Sequence, residues 1–428
     1  MAVRAGIVVT GTEVLTGRVG DRNGPWLAEE LRTQGVDVGA VVVVGDRPED
    51  LRAALAFLAG SGVALVITSG GLGPTADDLT AAVVGDFQGR PSAVDPALEE
   101  RIAAIVARLG ARRGWAMDPV ATAAGVAKQA RVPAGATVLE PVGTAPGLVV
   151  PVAEGRSGPP VLVLPGPPGE LQGMWPAALA SEPVRTVLAG APELRQRTLR
   201  LWGTPESELA ATLRRVDDQL AGLEVTTCLR DGELEIVTRY GPDAEAAYER
   251  LQSAVTGDFG DTLFSSDGAT VDGQVAAALA ERGWTVAVGE SCTGGLLTGR
   301  LTAAPGSSAV VLGGVTAYAD RAKEQLLGVP GAVLGTVGAV SPEVALALAE
   351  GARDRFGADL GLGATGIAGP GGGTADKPVG TVHLAAVGPA GTAVRSIVLG
   401  GSRDAVRQRT TTLALHLLRQ LLLGGPPA

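Results

Sequence analysis

Residues 64–80 read ALVITSGGLGPTADDLT, in which an apolar, β-branched run is followed by a glycine loop and then by a helical pattern. Two earlier runs, at residues 6–10 and 41–44, have the same character and are also followed by a glycine-containing loop and a helical pattern. Strands that alternate with helices predict an α/β fold with a parallel, doubly wound sheet. Such sheets bind ligands in the loops at the carboxyl ends of their strands. The functional loops of this part of the chain are therefore expected at residues 10–22, 45–48 and 69–80.

The loop that follows residue 68 has a composition suited to a phosphate group. Gly70, Gly71 and Gly73 carry no side chain that would keep a phosphate away from the backbone, and a helix follows them. Asp77 and Asp78 are carboxylates, which are the ligands that hard divalent cations prefer. Both are explained equally well as ordinary acids in the first turn of a helix. The residues alone leave these two interpretations open.

The length and composition bound the domain organisation. At about 100 to 200 residues per domain, 428 residues are enough for two to four domains. The chain is 46% hydrophobic but only 3% aromatic and contains 63 glycines, which is typical of an α/β protein with a core of Ala, Val and Leu. A Pro/Gly-dense tract at 158–169 closes the first domain, and the hairpin signal Asp231-Gly232 indicates a small α+β module after it. We predict three domains, at residues 1–175, 196–265 and 266–428.

Charge and cysteine usage exclude several classes of protein. Thirty-five basic and 45 acidic residues give a net charge of −10, which opposes binding to a nucleic acid backbone. Cys228 and Cys292 are too few and too far apart for a disulfide framework or a CxxC metal site. No run reaches the roughly 18 uncharged apolar residues of a membrane helix. We expect a cytoplasmic protein that binds neither nucleic acid nor membrane.

Lysine is scarce, since Lys128, Lys323 and Lys377 are the only lysines among 35 basic residues. Arginine supplies a positive charge as well as lysine does, but only lysine can lose its proton and act as a base. Lys323 follows Tyr318 by five residues at a predicted junction of strand and helix. The alternative is that Tyr318 packs half-buried while Lys323 is a solvated helix residue, and spacing alone favours that alternative.

Ser291 lies on a predicted turn between a strand and a helix, where a hydroxyl can point into a cleft beside free backbone N–H groups. Capping of the helix by Ser291 or Thr293 explains these residues at least as well. Cys292 is a rival nucleophile, although a small buried thiol is the simpler interpretation. His383 and His416, the only two histidines, are predicted in a strand and in the terminal helix, which gives little support to a triad or a histidine metal site.

Short motifs follow one another in a fixed order along the whole chain. They are Gly11–Gly17, Gly70–Thr80, Pro141–Gly147, Leu164–Leu171, Glu290–Gly295, Pro305–Ser308, Tyr318 with Lys323, Val340–Glu343, Ala364–Pro370 and Lys377–Gly380. This order resembles the CinA (competence/damage-inducible protein A) family. Its amino-terminal domain is similar to molybdopterin-binding MogA and MoaB proteins, and its carboxy-terminal domain is an amidase of the PncC type.

The resemblance implies two activities and a homodimer. The third domain would hydrolyse nicotinamide mononucleotide to nicotinate mononucleotide and ammonia without a cofactor. Ser291 would be its nucleophile, Lys323 its base, and Tyr318 a partner in proton transfer. The first domain would be a divalent-metal-dependent ADP-ribose pyrophosphatase. Its metal ligands would be Asp46, Asp77 and Asp78, and its expected substrate contacts are Gly70, Gly71, Gly73 and Thr75. The expected substrate contacts of the third domain are Thr293, Gly294, Thr365, Gly366, Arg403 and Arg407.

Three functional hypotheses remain at this point. In the first hypothesis the chain is an amidase with a second nucleotide site. In the second, only the metal-dependent pyrophosphatase is catalytically active. The third possibility is a non-enzymatic adaptor that binds a pterin or a nucleotide during competence or the damage response. In each case the expected ligands are small nucleotides or pterins.

Overall fold

The strand that opens the chain, β1 (Arg4–Thr10), is buried from Ala5 to Thr10, as expected for a strand covered on both faces of its sheet. The computed structural model describes residues 3–114, 116–230 and 232–423. The chain divides into two compact units, of which the first ends at Arg195 and the second begins at Gln196. The predicted 196–265 module and 266–428 domain both fall in the second unit.

The first unit contains one large sheet with helices on it. Its elements are β1, α1 (Thr12–Leu15), α2 (Asn23–Thr33), β2 (Asp37–Val44), α3 (Pro48–Gly60), β3 (Leu65–Ser69), α4 (Thr80–Gln88), β4 (Ser92–Val94), α5 (Pro96–Arg113), α6 (Pro119–Gln129), β5 (Arg131–Pro133), β6 (Thr137–Leu139), β7 (Gly147–Val150), β8 (Val161–Leu164), α7 (Pro168–Ala180) and α8 (Glu182–Leu188). The strand order is β2-β1-β3-β8-β7-β6. The α/β class predicted from the sequence is confirmed.

The parallel pairing predicted from the first three strands is confirmed, and the sheet continues into an antiparallel edge. Strands β2, β1, β3 and β8 are parallel, but β7 and β6 are antiparallel to their neighbours. Parallel strands need a crossover of about a dozen or more residues, usually a helix. Residues 140–146 and 151–160 contain no helix and are too short for that crossover, so the chain reverses direction instead.

The parallel part of this sheet fixes where the loops converge. Val9 pairs with Ser69, and Ser69 pairs with Leu164, so β1, β3 and β8 end side by side. The loops that leave these strands begin at Gly11, Gly70 and Pro165. They therefore meet at one edge of the sheet, where ligands of doubly wound proteins bind.

The second unit holds two separate sheets. Its elements are β9 (Arg195–Trp202), α9 (Glu206–Val216), β10 (Leu223–Arg230), β11 (Glu233–Tyr240), α10 (Glu245–Phe259), β12 (Leu263–Ser265), α11 (Val271–Arg282), β13 (Val286–Glu290), α12 (Leu296–Leu301), β14 (Val311–Thr316), α13 (Asp320–Leu327), α14 (Gly331–Val337), α15 (Pro342–Phe356), β15 (Leu360–Gly366), β16 (Thr381–Gly388), β17 (Gly391–Val398) and α16 (Arg403–Leu423). The orders are β10-β11-β9-β12 and β14-β13-β15-β16-β17. Strands β10 and β11 form the predicted hairpin, and Asp231 of its predicted turn lies outside the described residues.

The terminal helix α16 is buried along its middle part. All residues from Thr410 to Leu418 are buried, because α16 contacts α11, α12 and the sheet strands β16 and β17. The buried His416 also bonds Glu233 of β11, with 2.8 Å between Nε2 and Oε1. No helix in the described ranges is long and apolar enough to cross a membrane.

Glycines allow α15 to lie almost on the backbone of the sheet beneath it. A Cβ atom at Gly361 would overlap the carbonyl oxygen of Ala349, and one at Gly363 would overlap that of Ala345. Backbone carbonyl oxygens cannot move aside as a flexible side chain can. The distance between α15 and β15 therefore depends on the absence of these side chains.

We predict that Gly363→Ala destabilises the protein by about 1–3 kcal/mol, the usual cost of overpacking a core. Urea unfolding measures the change as a lower midpoint. Gly257→Ala is the matched control, because Gly257 lies inside α10 and a Cβ atom there would have nothing within 4 Å. The control is expected to leave the midpoint unchanged or raise it. Equal midpoints for wild type and Gly363→Ala would contradict the packing argument.

Candidate functional site

Three neighbouring strands of the second unit end at the same edge of their sheet. Strand β13 pairs in parallel with β14 and with β15 up to its last residue, Glu290. Ser291 follows β13 directly, Tyr318 follows β14 by two residues, and Thr365 lies at the end of β15. The sheet thus brings these three sequence-predicted residues to one edge.

A buried carboxylate shapes the turn between β13 and α12. Glu290 is fully buried, and its oxygens accept hydrogen bonds from the N–H groups of Gly295, Leu297 and Thr298 at 2.8–3.1 Å. The Thr298 hydroxyl donates a fourth bond at 2.5 Å. A carboxylate at the start of a helix meets both the unpaired N–H groups and the positive end of the helix dipole. Sequence reasoning gave Glu290 no role of its own, although it lies in the quoted motif.

This arrangement rejects the capping interpretation of Ser291 and Thr293. Helix α12 begins after Gly295, and no side chain of its N-cap residue bonds the first turn. The Glu290 carboxylate takes the donors that a capping hydroxyl would take. Thr293 is fully buried, and its hydroxyl has no hydrogen-bond partner among the described residues.

Two backbone N–H groups of the Ser291 turn are already engaged. The Gly294 N–H donates to the Ser291 carbonyl oxygen at 3.2 Å, so it closes the turn. The Ser291 N–H donates to the carbonyl oxygen of Ala364 at 2.9 Å. The contact of Gly294 with a substrate stays a prediction.

Cys292 is disfavoured as the rival nucleophile. The residue is only 4% exposed, and burial raises the pKa of its thiol to about 11. The backbone N–H groups of Cys292 and Thr293 favour the thiolate but do not outweigh the burial. Since the thiolate is the reactive form, a thiol that stays protonated near neutral pH is a poor nucleophile.

Lys323 is buried, which rejects the solvated-helix interpretation. It is 2% exposed, and its Nζ donates to the carbonyl oxygen of Tyr318 at 2.8 Å and to Asp320 Oδ1 at 3.2 Å. The charged group in contact with this amine is a carboxylate, because Asp320 lies one helical turn earlier on α13.

Tyr318 is 62% exposed, so it is not the half-buried packing residue of the alternative interpretation. Its hydroxyl accepts a hydrogen bond from Arg403 Nη2 at 3.2 Å. The other terminal nitrogen of Arg403 donates to the carbonyl oxygen of Gly369 at 2.7 Å. An exposed phenol and an exposed guanidinium therefore lie together at this edge of the sheet.

Arg407 contacts the turn from the side of α16. Its Nε donates to the carbonyl oxygen of Cys292 at 3.2 Å, and its Nη2 donates to that of Thr293 at 2.9 Å. Nη1 lies 3.6 Å from Asp404 Oδ1. In this conformation Arg407 supports the turn, whereas the sequence analysis expected it to grip the nucleotide.

Thr365 and Lys377 hold the segment that precedes α15. Thr365 is 1% exposed and its hydroxyl donates to the carbonyl oxygen of Ala339 at 2.8 Å. Lys377 Nζ donates to the carbonyl oxygens of Val337 and Val340, both at 2.7 Å. Sequence reasoning missed Lys377, although the scarcity of lysine was the signal that marked it.

Gly366 lies at the end of β15, next to Thr365. A Cβ atom there would lie 2.7 Å from the carbonyl oxygen of Thr381 on the neighbouring strand β16. The close approach of two backbones therefore explains a glycine at this position without a substrate contact.

A second site lies in the first unit, where the loops after β1, β3 and β8 converge. They enclose a pocket of about 630 Å³. Gly70, Gly71 and Gly73 line it as predicted. Gly70 and Gly71 have φ of +109° and +66°, a region that L side chains rarely adopt, so this turn needs glycine.

The predicted metal ligands Asp46, Asp77 and Asp78 line the same pocket but are held by threonines of two loops. Asp46 accepts from the N–H and hydroxyl of Thr12 at 2.8 and 2.9 Å. Asp78 accepts from the N–H of Thr75 at 2.9 Å, and the Thr75 hydroxyl lies 2.6 Å from Asp77 Oδ1. That hydroxyl is the main reason why the pKa of Asp77 is lowered. Thr75, a predicted substrate contact, therefore organises the two aspartates.

These carboxylates do not form a metal centre by themselves. Within residues 3–114, 116–230 and 232–423, no group of three or more His, Cys, Asp or Glu side chains is placed to hold a metal ion. Asp46, Asp77 and Asp78 therefore stay predicted ligands, and the Thr75 hydroxyl contacts both Asp77 and Asp78. Protein carboxylates alone do not complete a coordination shell in this pocket.

We predict that Glu290→Gln destabilises the protein, because the amide NH₂ would face N–H groups that lose their acceptor. Leaving a buried donor without its acceptor costs about 1–3 kcal/mol of stability. Urea unfolding measures this loss as a lower midpoint. Glu343→Gln is the matched control, since Glu343 is an acid in the first turn of α15 that is not fully buried. A Glu290→Gln midpoint equal to that of the control would show that the turn does not need the carboxylate.

Comparisons with known proteins agree with this two-unit architecture. The family model described as "CinA C-terminal domain" matches residues 268–422. The model described as "Probable molybdopterin binding domain" matches residues 6–184. The crystal structure of the competence/damage inducible protein CihA from Agrobacterium tumefaciens is 42% identical and covers 35% of this chain and 94% of its own, with a TM-score of 0.34.

Relatives also match over the full length. A CinA-like protein of Mycobacterium sp. (strain JLS) is 56% identical over 429 residues, which cover 99% of this chain and 100% of the relative. A CinA-like protein of Mycobacterium tuberculosis (strain ATCC 25177 / H37Ra) is 50% identical over 433 residues, which cover 100% and 99%. Identity of this extent along the whole chain, together with the matching domain models, shows that this protein belongs to the CinA family.

Proposed function

We propose that residues 266–428 hydrolyse the carboxamide of nicotinamide mononucleotide to nicotinate mononucleotide and ammonia. The observation that carries this proposal is the meeting of Ser291 and Tyr318 at one sheet edge, with buried Lys323 bonded to the Tyr318 backbone. A hydroxyl, a phenol and an amine in one place supply a nucleophile and two proton carriers. The reaction needs no cofactor.

In the proposed mechanism the Ser291 oxygen attacks the carboxamide carbon and gives its proton to Lys323. The tetrahedral intermediate then breaks its C–N bond, and ammonia leaves with a proton from an acid of the site. Water next attacks the acyl carbon and the ester C–O bond breaks, while Lys323 returns its proton to the Ser291 oxygen. One proton of this water restores the acid of the site, and the other passes from the carboxylic acid product to ammonia. One water is consumed and one ammonia is formed, so the atoms balance.

Tyr318 is proposed as the acid. Arg403 donates to the phenol oxygen, and this leaves the phenol hydrogen to point toward a substrate. The same guanidinium is exposed, which suits it to the phosphate of a mononucleotide. Arg407, by contrast, is proposed as a positioning residue, because its donors are occupied by the carbonyl oxygens of the turn.

We predict that Ser291→Ala and Lys323→Arg each lower turnover by at least about two orders of magnitude, the usual scale for a nucleophile or a general base. Ammonia release from nicotinamide mononucleotide by the full chain measures it. Lys323→Arg keeps the charge but removes the ability to accept a proton.

The controls for these variants are Ser308→Ala and Arg321→Lys, which change exposed residues of the same unit. Both are expected to retain wild-type turnover. Near-normal turnover of Lys323→Arg would mean that Lys323 only anchors the Tyr318 backbone, and that another group is the base.

A second candidate function belongs to the first unit, where we propose metal-dependent cleavage of ADP-ribose. The observation that favours it is a pocket with a glycine turn in which six carboxylates face one guanidinium: Glu13, Asp21, Asp46, Asp77, Asp78 and Glu170, with Arg22. A diphosphate and these carboxylates repel each other unless a cation lies between them. Mg²⁺ is commonly held by one or two carboxylates with phosphate oxygens and waters, so Asp46 or Asp78 would hold it only together with the ligand. The cation would neutralise the charge of the diphosphate.

We predict that a chelator abolishes AMP release from ADP-ribose and that Asp78→Asn lowers it by at least about tenfold, since one carboxylate of the cation site is lost. Asp86→Asn is the control, because Asp86 is an exposed residue of α4 outside the pocket. Cleavage that persists in chelator would reject the metal. Binding of ADP-ribose or a pterin without any cleavage would favour the adaptor hypothesis instead.

A further inference from the structure

The carboxylates of the first-unit pocket are not equivalent. Four of them, Asp21, Asp46, Asp77 and Asp78, accept hydrogen bonds from backbone N–H or threonine hydroxyl groups. Such donors stabilise the charged form of a carboxylate. These four carboxylates are therefore held in place by donors of the protein itself.

Glu170 has a different environment. It lies in the first turn of α7, just after the loop that leaves β8, and its side chain lines the pocket. The carboxyl group packs on Gly143, where any Cβ atom would overlap it. It makes no hydrogen bond or ion pair within the described part of the chain. The oxygens of this half-buried carboxyl can therefore accept a proton or a hydrogen bond from a bound molecule.

The two kinds of environment move the pKa values apart. Burial raises the pKa of Glu170, whereas the Thr75 hydroxyl lowers that of Asp77 in the same pocket. Acids and bases of a reaction are recognised by such a separation between titratable groups of one site. Glu170 is therefore the pocket carboxyl best suited to accept a proton.

Asn23 independently indicates that this pocket takes a ligand. Its side chain is 7% exposed, and its Nδ2 donates to the Ser69 hydroxyl at 2.8 Å and the Gly166 carbonyl oxygen at 2.7 Å. These bonds orient the amide and leave Oδ1 buried with no partner among the described residues. Buried polar atoms are normally paired, so an orphaned acceptor that lines a pocket fits a donor group of a ligand, such as a ribose hydroxyl.

We infer that Glu170 is the proton acceptor for the water that attacks a diphosphate bound in this pocket. The inference rests on the proposed pyrophosphatase function of the first unit. The water oxygen forms a bond to one phosphorus, and a water proton passes to the Glu170 carboxylate. The bridging P–O bond breaks and its electron pair stays on the leaving phosphate. ADP-ribose and one water thus give AMP and ribose 5-phosphate, and Glu170 later returns the proton to solvent.

The test compares wild type with Glu170→Gln in the full chain, with ADP-ribose and Mg²⁺. We expect kcat to fall about 100-fold or more, the scale of a lost general base, while KM changes less than about threefold. The wild-type rate should fall as the pH falls through the pKa of Glu170, and this limb should vanish in the variant. The other charged groups that line the pocket, Glu13, Asp21, Arg22, Asp46, Asp77 and Asp78, are unchanged in both proteins.

A stability measurement distinguishes a catalytic role from a structural one. The folded-state pKa of Glu170 is raised, so its contribution to stability is present below the unfolded pKa and is lost as the pH rises through the folded pKa. With unfolding measured at pH 8, we expect Glu170→Gln to unfold at an equal or higher urea concentration than the wild type. Glu182→Gln, an acid in the first turn of α8, is the matched control for both measurements.

Each outcome decides one of the two claims. If wild type cleaves ADP-ribose and Glu170→Gln retains a kcat within threefold, the inference about Glu170 is overturned and the pyrophosphatase proposal stands. A lower unfolding midpoint at pH 8 together with a raised KM would also overturn it, in favour of a structural carboxyl. If wild type releases no AMP, the pyrophosphatase proposal fails and the inference fails with it.

Discussion

The buried carboxylate of Glu290 is the interaction on which the candidate amidase site depends. It gathers three backbone N–H groups and a hydroxyl at the start of α12, and so it fixes how the chain turns after β13. Ser291 is the next residue, and its own N–H is held by β15. A hydroxyl there has little freedom to move, which is what a nucleophile of defined direction requires. Arg407 completes the support from α16 through the carbonyl oxygens of the same turn.

The three lysines have a common structural role, since each donates to backbone carbonyl oxygens of a loop. Lys128 donates to the carbonyl oxygen of Thr75, Lys323 to that of Tyr318, and Lys377 to those of Val337 and Val340. Each of these oxygens belongs to a loop beside a candidate site. An ammonium is compact and has three donors that rotate freely, so it can meet a carbonyl oxygen from several directions. Retention of lysine is thus explained by geometry as well as by proton transfer.

Both units have their candidate site at the same edge of an α/β sheet, where parallel strands end. The two sites differ in charge. In the first unit the loops after parallel strands enclose carboxylates and glycines, and a phosphate ligand must bring a cation or meet repulsion. In the second unit the equivalent edge presents a hydroxyl, a phenol and Arg403, with buried Lys323 behind them. The parallel arrangement creates the edge, and the loop residues decide what it binds.

The sequence by itself determined the strands and helices, because the period of apolar residues and the positions of glycine are local properties. It correctly predicted the β10/β11 hairpin, the turn at Ser291 and the glycine turn at Gly70, each of which needs only a few neighbouring residues. The strand order and the antiparallel edge of the first sheet could not be predicted from the sequence, because strand pairing depends on partners far along the chain. Only the tertiary structure decided that Glu290 caps α12, that a carboxylate contacts Lys323, and that Thr12 donates to Asp46. The half-burial of Glu170, whose carboxyl has no partner among the described residues, is also visible only in the tertiary structure. The environment of a side chain is set by all the segments that pack around it and not only by its neighbours in the chain.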